Sequence, residues 1–109
     1  MPHLRFRGIE KQHVKEISKN LVDKLAKEVE CPREWFTLEH IESLFIFDGE
    51  ENKNKYPFVE VLWFDRGSAV MSNVANLITD MIKSYSYDCV TVIFTNLTKE
   101  HYYENGEHF

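Results

Sequence analysis

The spacing of apolar residues switches between two periods along this chain, and that switching constrains the fold more than any other feature. In the first eight residues, Leu4 and Phe6 alternate with His3, Arg5 and Arg7, which gives a strand one core face and one polar face. Gly8 ends that strand. From Ile9 to Glu30 the period is helical. Val14, Ile17, Leu21, Leu25 and Val29 form one stripe at spacings of three or four, widened by Val22 and Ala26. Lys11, Lys15, Glu16, Lys19, Lys24, Lys27 and Glu28 fill the other face, which reads as solvated, and His13 lies on that polar side. Cys31-Pro32 stops the helix, because proline cannot continue it.

The pattern then repeats. A link, Arg33-Glu34-Trp35, leads to a second strand at about Phe36 to Phe47, where Thr37, Ile41, Phe45, Ile46 and Phe47 suit a sheet. Its alternation slips near Ser43-Leu44, which predicts a bulge or bend. Asp48 to Tyr56 is polar and turn-rich and divides the chain. Phe58 to Phe64 reads as the third strand, followed by a turn in which Ser68 is a candidate N-cap. A second helix at about Ala69 to Ser84 turns Val70, Val74, Leu77, Ile78 and Met81 inward. A fourth strand follows at about Cys89 to Thr95, and Asn105-Gly106 marks a short terminal hairpin or strand. The order predicts an α+β fold. Two strand-helix-strand units form a four-stranded sheet with two helices on one face, as a single domain over residues 1–109 with pseudo-halves of about 1–48 and 57–109.

Composition narrows the function. Thirteen Lys and Arg against eighteen Asp and Glu leave a net charge of −5, so the basic footprint of a nucleic-acid binder is missing. No apolar run is long enough to span a bilayer, and no leader is read ahead of the first strand. Cys31 and Cys89 fit no metal spacing and read as reduced thiols of a cytoplasmic protein, with a disulfide between them left open. The five histidines show no ligand spacing, and no phosphate or dinucleotide motif is present, so no metal or cofactor is expected.

Pro2 is the residue with chemical potential. Removal of an initiator methionine before proline leaves a secondary amine held at the end of a sheet. An α-amino group titrates near ~7.7–8.0, and burial or a nearby arginine lowers that value. Such an amine is a general base. The alternative is that Pro2 only begins a strand, where proline is tolerated.

Met1-Pro2 with an alternating strand, a helix of about twenty residues and a strand introduced by Pro32 together resemble the tautomerase superfamily. That group includes 4-oxalocrotonate tautomerase, 5-carboxymethyl-2-hydroxymuconate isomerase and macrophage migration inhibitory factor. The segments MPHLRFRGI and CPREWFTLE resemble more closely a family of small bacterial proteins within it whose function is unassigned. The resemblance implies a homotrimer, with Pro2 as general base between subunits, moving a proton on a small enol or α-keto acid. It implies too that a cation holds the substrate's carboxylate. Arg5 is read either as that anchor or as part of a polar network with Glu39 and Glu60. Arg33 is read as an anchor or as a helix C-terminal charge. Trp35 and Phe36 are candidates for the apolar wall beside Pro2. Arg66, in the turn before the second helix, could hold an anion together with that helix's N-terminus, and the preferred reading is a surface residue paired with Asp65. The alternatives of another class are a non-catalytic oligomer used for binding or scaffolding, and a ferredoxin-like small-molecule regulatory domain.

Overall fold

In the computed structural model, which describes residues 2–108, the first half comprises β1 (His3–Arg7), α1 (Lys11–Val29), a 3-10 turn (Arg33–Trp35) and β2 (Thr37–His40). A small hairpin follows, β3 (Ile46–Phe47) and β4 (Glu50–Glu51). The second half comprises β5 (Phe58–Trp63), α2 (Ser68–Lys83) and β6 (Thr91–Asn96). A 3-10 turn (Lys99–His101) and a terminal hairpin, β7 (Tyr103–Glu104) and β8 (Glu107–His108), complete the chain.

The four longer strands form one sheet in the order β2-β1-β5-β6. β1 runs parallel to β2, β5 runs parallel to β6, and β1 meets β5 antiparallel. Each helix therefore joins two adjacent parallel strands. A ferredoxin-like domain splits its βαβ units with an intervening strand; here nothing lies between β1 and β2, which removes that alternative. Leu4 and Phe6 of β1 and Val59, Val61 and Trp63 of β5 face both helices. Val14, Ile17, Leu21, Leu25 and Val29 of α1 cover them, as do Val74, Ile78 and Ile82 of α2. Burying each such side chain contributes about 1.5–3 kcal/mol. The stripe of α2 is rotated from expectation. Ile82 is fully buried, whereas Val70, Leu77 and Met81 are only partly so.

The helix ends have identifiable partners. Glu10 caps α1 without a side-chain bond, and its N–H is instead donated to the Tyr87 hydroxyl at 3.1 Å. That hydroxyl also bonds His13 Nδ1 at 2.7 Å, so His13 is half-buried in a contact and not solvated. At the other end Glu30 takes a left-handed φ of 54°, and Cys31 N–H reaches back to Ala26 O. Gly67, not Ser68, is the N-cap of α2.

β2 is shorter than expected and stops at His40. Of the β-forming residues beyond it, Ile46 and Phe47 belong to the separate hairpin, where Asp48 and Gly49 take φ of 49° and 75° and reverse the chain, whereas Ile41 and Phe45 lie in no strand. β6 begins at Thr91 rather than Cys89. The terminal hairpin at Asn105-Gly106 is as expected.

Gly8 is needed at its position. Its φ is 73°, and a Cβ there would lie 1.9 Å from Tyr56 O. Gly106 has a φ of 81° but open space around it. Gly8→Ala should therefore lose about 2–4 kcal/mol, and Gly106→Ala about 1–2 kcal/mol, read from urea unfolding midpoints. Equal losses would show that the Tyr56 backbone yields freely.

Candidate functional site

Four strand ends meet at one edge of the sheet. β1 and β2 start there, and β5 and β6 finish there. Pro2 lies at this edge and is buried. Its carbonyl accepts the Thr37 N–H at 3.1 Å, which sets Phe36 beside it. On the other side His3 pairs with Leu62, so the same register continued by one residue puts Pro2 across from Trp63. Trp63 is 1% exposed, and its indole N–H is satisfied by Asn96 Oδ1 at 3.0 Å. Phe36 is half-buried against the core, whereas Trp35 is 43% exposed. Of the two aromatic candidates, then, only Phe36 packs inward in the single chain. Met1, whose removal the proline chemistry requires, lies outside the described residues.

Two further side chains belong to this end of the molecule, Trp63, which did not stand out in the sequence, and Arg66, which did so only as an anion-holding alternative. Trp63 is the inward-facing last residue of β5. Arg66 follows in the turn, its guanidinium 5.6 Å from the Trp63 ring centroid and Nη1 donating to Phe64 O at 2.6 Å. Arg66 was expected to pair with Asp65. Asp65 instead accepts the Gly67 N–H at 2.9 Å, because an aspartate two residues before a glycine closes an Asx-type turn. The Cys31 thiol packs half-buried against the core at the end of α1. Burial pushes its pKa up from 9.0, and the Arg66 guanidinium draws it partly back.

Arg5 and Arg33 are placed differently. Arg33 Nε lies 2.5 Å from Asp23 Oδ1 and Nη2 donates to Lys19 O, so its fork is turned back on α1. Arg5 lies on the sheet face away from the helices. Nε is 3.4 Å from Glu39 Oε1 and Nη1 is 3.6 Å from Glu60 Oε1, the two partners foreseen for it. His3 extends the network through Thr37 at 2.6 Å and Glu39 at 2.9 Å, and Thr95 donates to Glu60 at 3.1 Å. A polar ladder thus crosses all four strands. Among the described residues no helix covers this face, and Ile93 is exposed on it.

A cavity of about 320 Å3 lies at the far end of β1, not at Pro2. Gly8, Lys11, His40 and Lys55 line it, and His40 Nε2 is held by Ile9 O at 2.9 Å. Among the described residues no group of three or more His, Cys, Asp or Glu is placed to hold a metal. No helix is long and apolar enough to cross a membrane.

Two helices packed on a mixed four-stranded sheet of order β2-β1-β5-β6 define a tautomerase-like α+β fold. The chain belongs to the family described as "Domain of unknown function (DUF1904)", whose profile matches residues 1–108. A crystal structure of a DUF1904 domain from Sebaldella termitidis is 44% identical over 100% of both chains, with a TM-score of 0.94. The macrophage migration inhibitory factor-like protein of Entamoeba histolytica is 15% identical and shares the fold at a TM-score of 0.73, over 99% of this chain and 98% of its own. A fused 4-OT, described as an asymmetric trimer, is 12% identical and aligns at a TM-score of 0.78 over 97% and 94%. No curated protein matches the chain.

The polar ladder has a pH signature. His3, the largest influence, together with Arg5 holds the Glu39 carboxyl below its ordinary 4.5. A lowered folded-state value stabilises the protein above pH 4.5, and that contribution is lost as pH falls through the shifted value. NMR titration of Glu39 should give a midpoint below 4.5, and His3→Ala should move it up. An unchanged midpoint in His3→Ala would remove histidine from the ladder.

Proposed function

We propose that this protein moves a proton on a small enol or α-keto acid, with Pro2 as general base at a site between subunits of a homotrimer. The observation that carries this is Pro2 itself, buried at the edge where β1 and β2 start and β5 and β6 finish, its carbonyl bonded to Thr37 N–H. With Met1 removed, Pro2 presents a secondary amine. Its burial favours the neutral form, because desolvation disfavours an ammonium ion. The neutral amine takes a proton from carbon. The C–H electrons become the C=C bond of an enolate, the charge moves to oxygen, and the proton returns at the other position.

Two features support the trimer. A fused 4-OT of the same fold is described as a trimer. The charged sheet face, uncovered among the described residues, carries apolar Phe58, Leu62 and Ile93 beside its ion pairs, and open sheet faces find partners. A site completed by a neighbour also accounts for the cavity of the single chain lying elsewhere. The cytoplasm is the compartment this reading assigns, with both thiols free. The second reading, a non-catalytic oligomer that binds or scaffolds, is favoured by the carboxylates that already occupy Arg5 and Arg33.

Untagged protein with a free Pro2 should turn over phenylenolpyruvate at a rate that rises with pH through the amine's pKa. Pro2→Ala should lower kcat/KM by about 10²-fold or more, and one added residue before Pro2, which makes the amine an amide, should abolish turnover. Equal rates for free and blocked termini would take Pro2 out of the mechanism. No turnover of any enol or α-keto acid by the free form would leave the scaffold reading.

Light scattering at micromolar concentration should return three times the 13.0 kDa chain mass. A monomer mass would exclude a site shared between subunits.

A further inference from the structure

At the end of β1 opposite Pro2, three segments are fastened to one another around the cavity of about 320 Å3. His40 donates its Nε2–H to Ile9 O at 2.9 Å, and Ile41 donates its N–H to Phe6 O at 2.9 Å. These two bonds tie the end of β2 to the turn before α1. Gly8 lies against the Tyr56 carbonyl, so close that a Cβ there would be 1.9 Å from it, and this brings in the segment that carries Lys55. The walls are therefore set by backbone contacts before any ligand arrives. The volume falls within the ~300–1,000 Å3 of small-molecule sites.

Floor and rim differ in chemistry. Gly8 and Ile9 are buried and Ile41 is half-buried, which makes the floor apolar. The exposed lining residues include Glu10, Lys11, Glu42 and Lys55, two carboxylates and two ammonium groups. Among the described residues none of these four has an opposite charge within 4.0 Å. Lys53, two residues before Lys55, does find one, Glu50 at 2.7 Å. The rim thus leaves both signs of charge for a ligand that carries both. A simple acid would meet the two carboxylates and a simple amine the two lysines, and like-charge contacts are costly. We propose that this cavity binds a small aliphatic α-amino acid as its zwitterion. The carboxylate lies toward Lys11 and Lys55, the ammonium toward Glu10 and Glu42, and the side chain on Ile9 and Ile41. The site is at the other end of β1 from Pro2, so it requires neither a free proline nor turnover.

The test is an amide NMR titration of untagged, full-length protein with L-alanine, L-valine and L-leucine, alongside L-glutamate and L-lysine. At least one aliphatic amino acid should give saturable shifts at Gly8, Ile9, Lys11 and Ser43, and should bind more tightly than the two charged ones. Its methyl ester and its N-acetyl form should each bind about 10-fold more weakly or worse. Lys55→Gln should bring the affinities for the free acid and the ester together. Glu42→Gln should do the same for the free amine and the N-acetyl form. Both residues are exposed and unpaired, so both variants should melt as wild type does. Lys24→Gln, on the solvent face of α1, and one added residue before Pro2 should leave binding unchanged. No saturable shift with any aliphatic amino acid would overturn the proposal, as would shifts centred on Thr37 and Trp63 at the Pro2 edge. An N-acetyl form that binds as well as the free amino acid would make the cavity a site for simple anions. An ester that binds equally would make it one for simple amines. Either result removes the zwitterion, and none of these outcomes bears on proton transfer at Pro2.

Discussion

β1 has to serve two environments at once, and the rest of the molecule depends on that. Its five residues send Leu4 and Phe6 into the core and His3, Arg5 and Arg7 to the other face. A slip of one residue against either neighbour would exchange the faces and bury guanidinium groups without partners. The register with β2 and β5 is therefore strongly specified. So is the location of Pro2, one step beyond the last paired residue. The charged face is matched in the same way, since the pairings that align Arg5 with Glu39 and Glu60 are those that align Leu4 with Leu38 and Val61.

How much of this could be read from residues alone follows the range of the interactions involved. The α1 stripe was legible because all five of its positions recur locally and all five are buried. β2 was drawn too long because Phe45, Ile46 and Phe47 carry strand propensity, and propensity does not say which strand a residue joins. The Asp48-Gly49 dipeptide held the answer, as a two-residue turn with positive φ at both positions. In α2 the inward stripe was misplaced by part of a turn, because Val70, Leu77 and Met81 are as apolar as Ile82 and only the packing against β6 and α1 distinguishes them.

At the candidate site the division is sharper. Pro2 could be singled out by its position, and the ladder of Arg5 with Glu39 and Glu60 by charge and strand parity. Trp63 could not, and Arg66 only as an anion-holding alternative beside the start of α2. The place of Trp63 at the edge where β1 starts depends on antiparallel pairing between strands in different halves of the chain. Arg66 was misread for a local reason as well. An adjacent Asp-Arg pair suggests an ion pair, but the aspartate's short side chain reaches its own turn first. Fold and site therefore differ in legibility, because one is built from local periods and the other from long-range register.

The excursion between β2 and β5 has a consequence for how chains of this kind can vary. Ile41 N–H is fastened to Phe6 O at its start, and the Tyr56 backbone sits against Gly8 at its end. Both anchors grip the same end of β1, so the entry and exit of the excursion are brought together whatever lies between them. Closing a longer loop on fixed ends costs little more entropy, about 0.6 kcal/mol for each doubling. The hairpin of β3 and β4 adds no strand to the main ladder. Length and composition between Ile41 and Tyr56 are accordingly free to drift while the strand pairings that hold Pro2 stay in register.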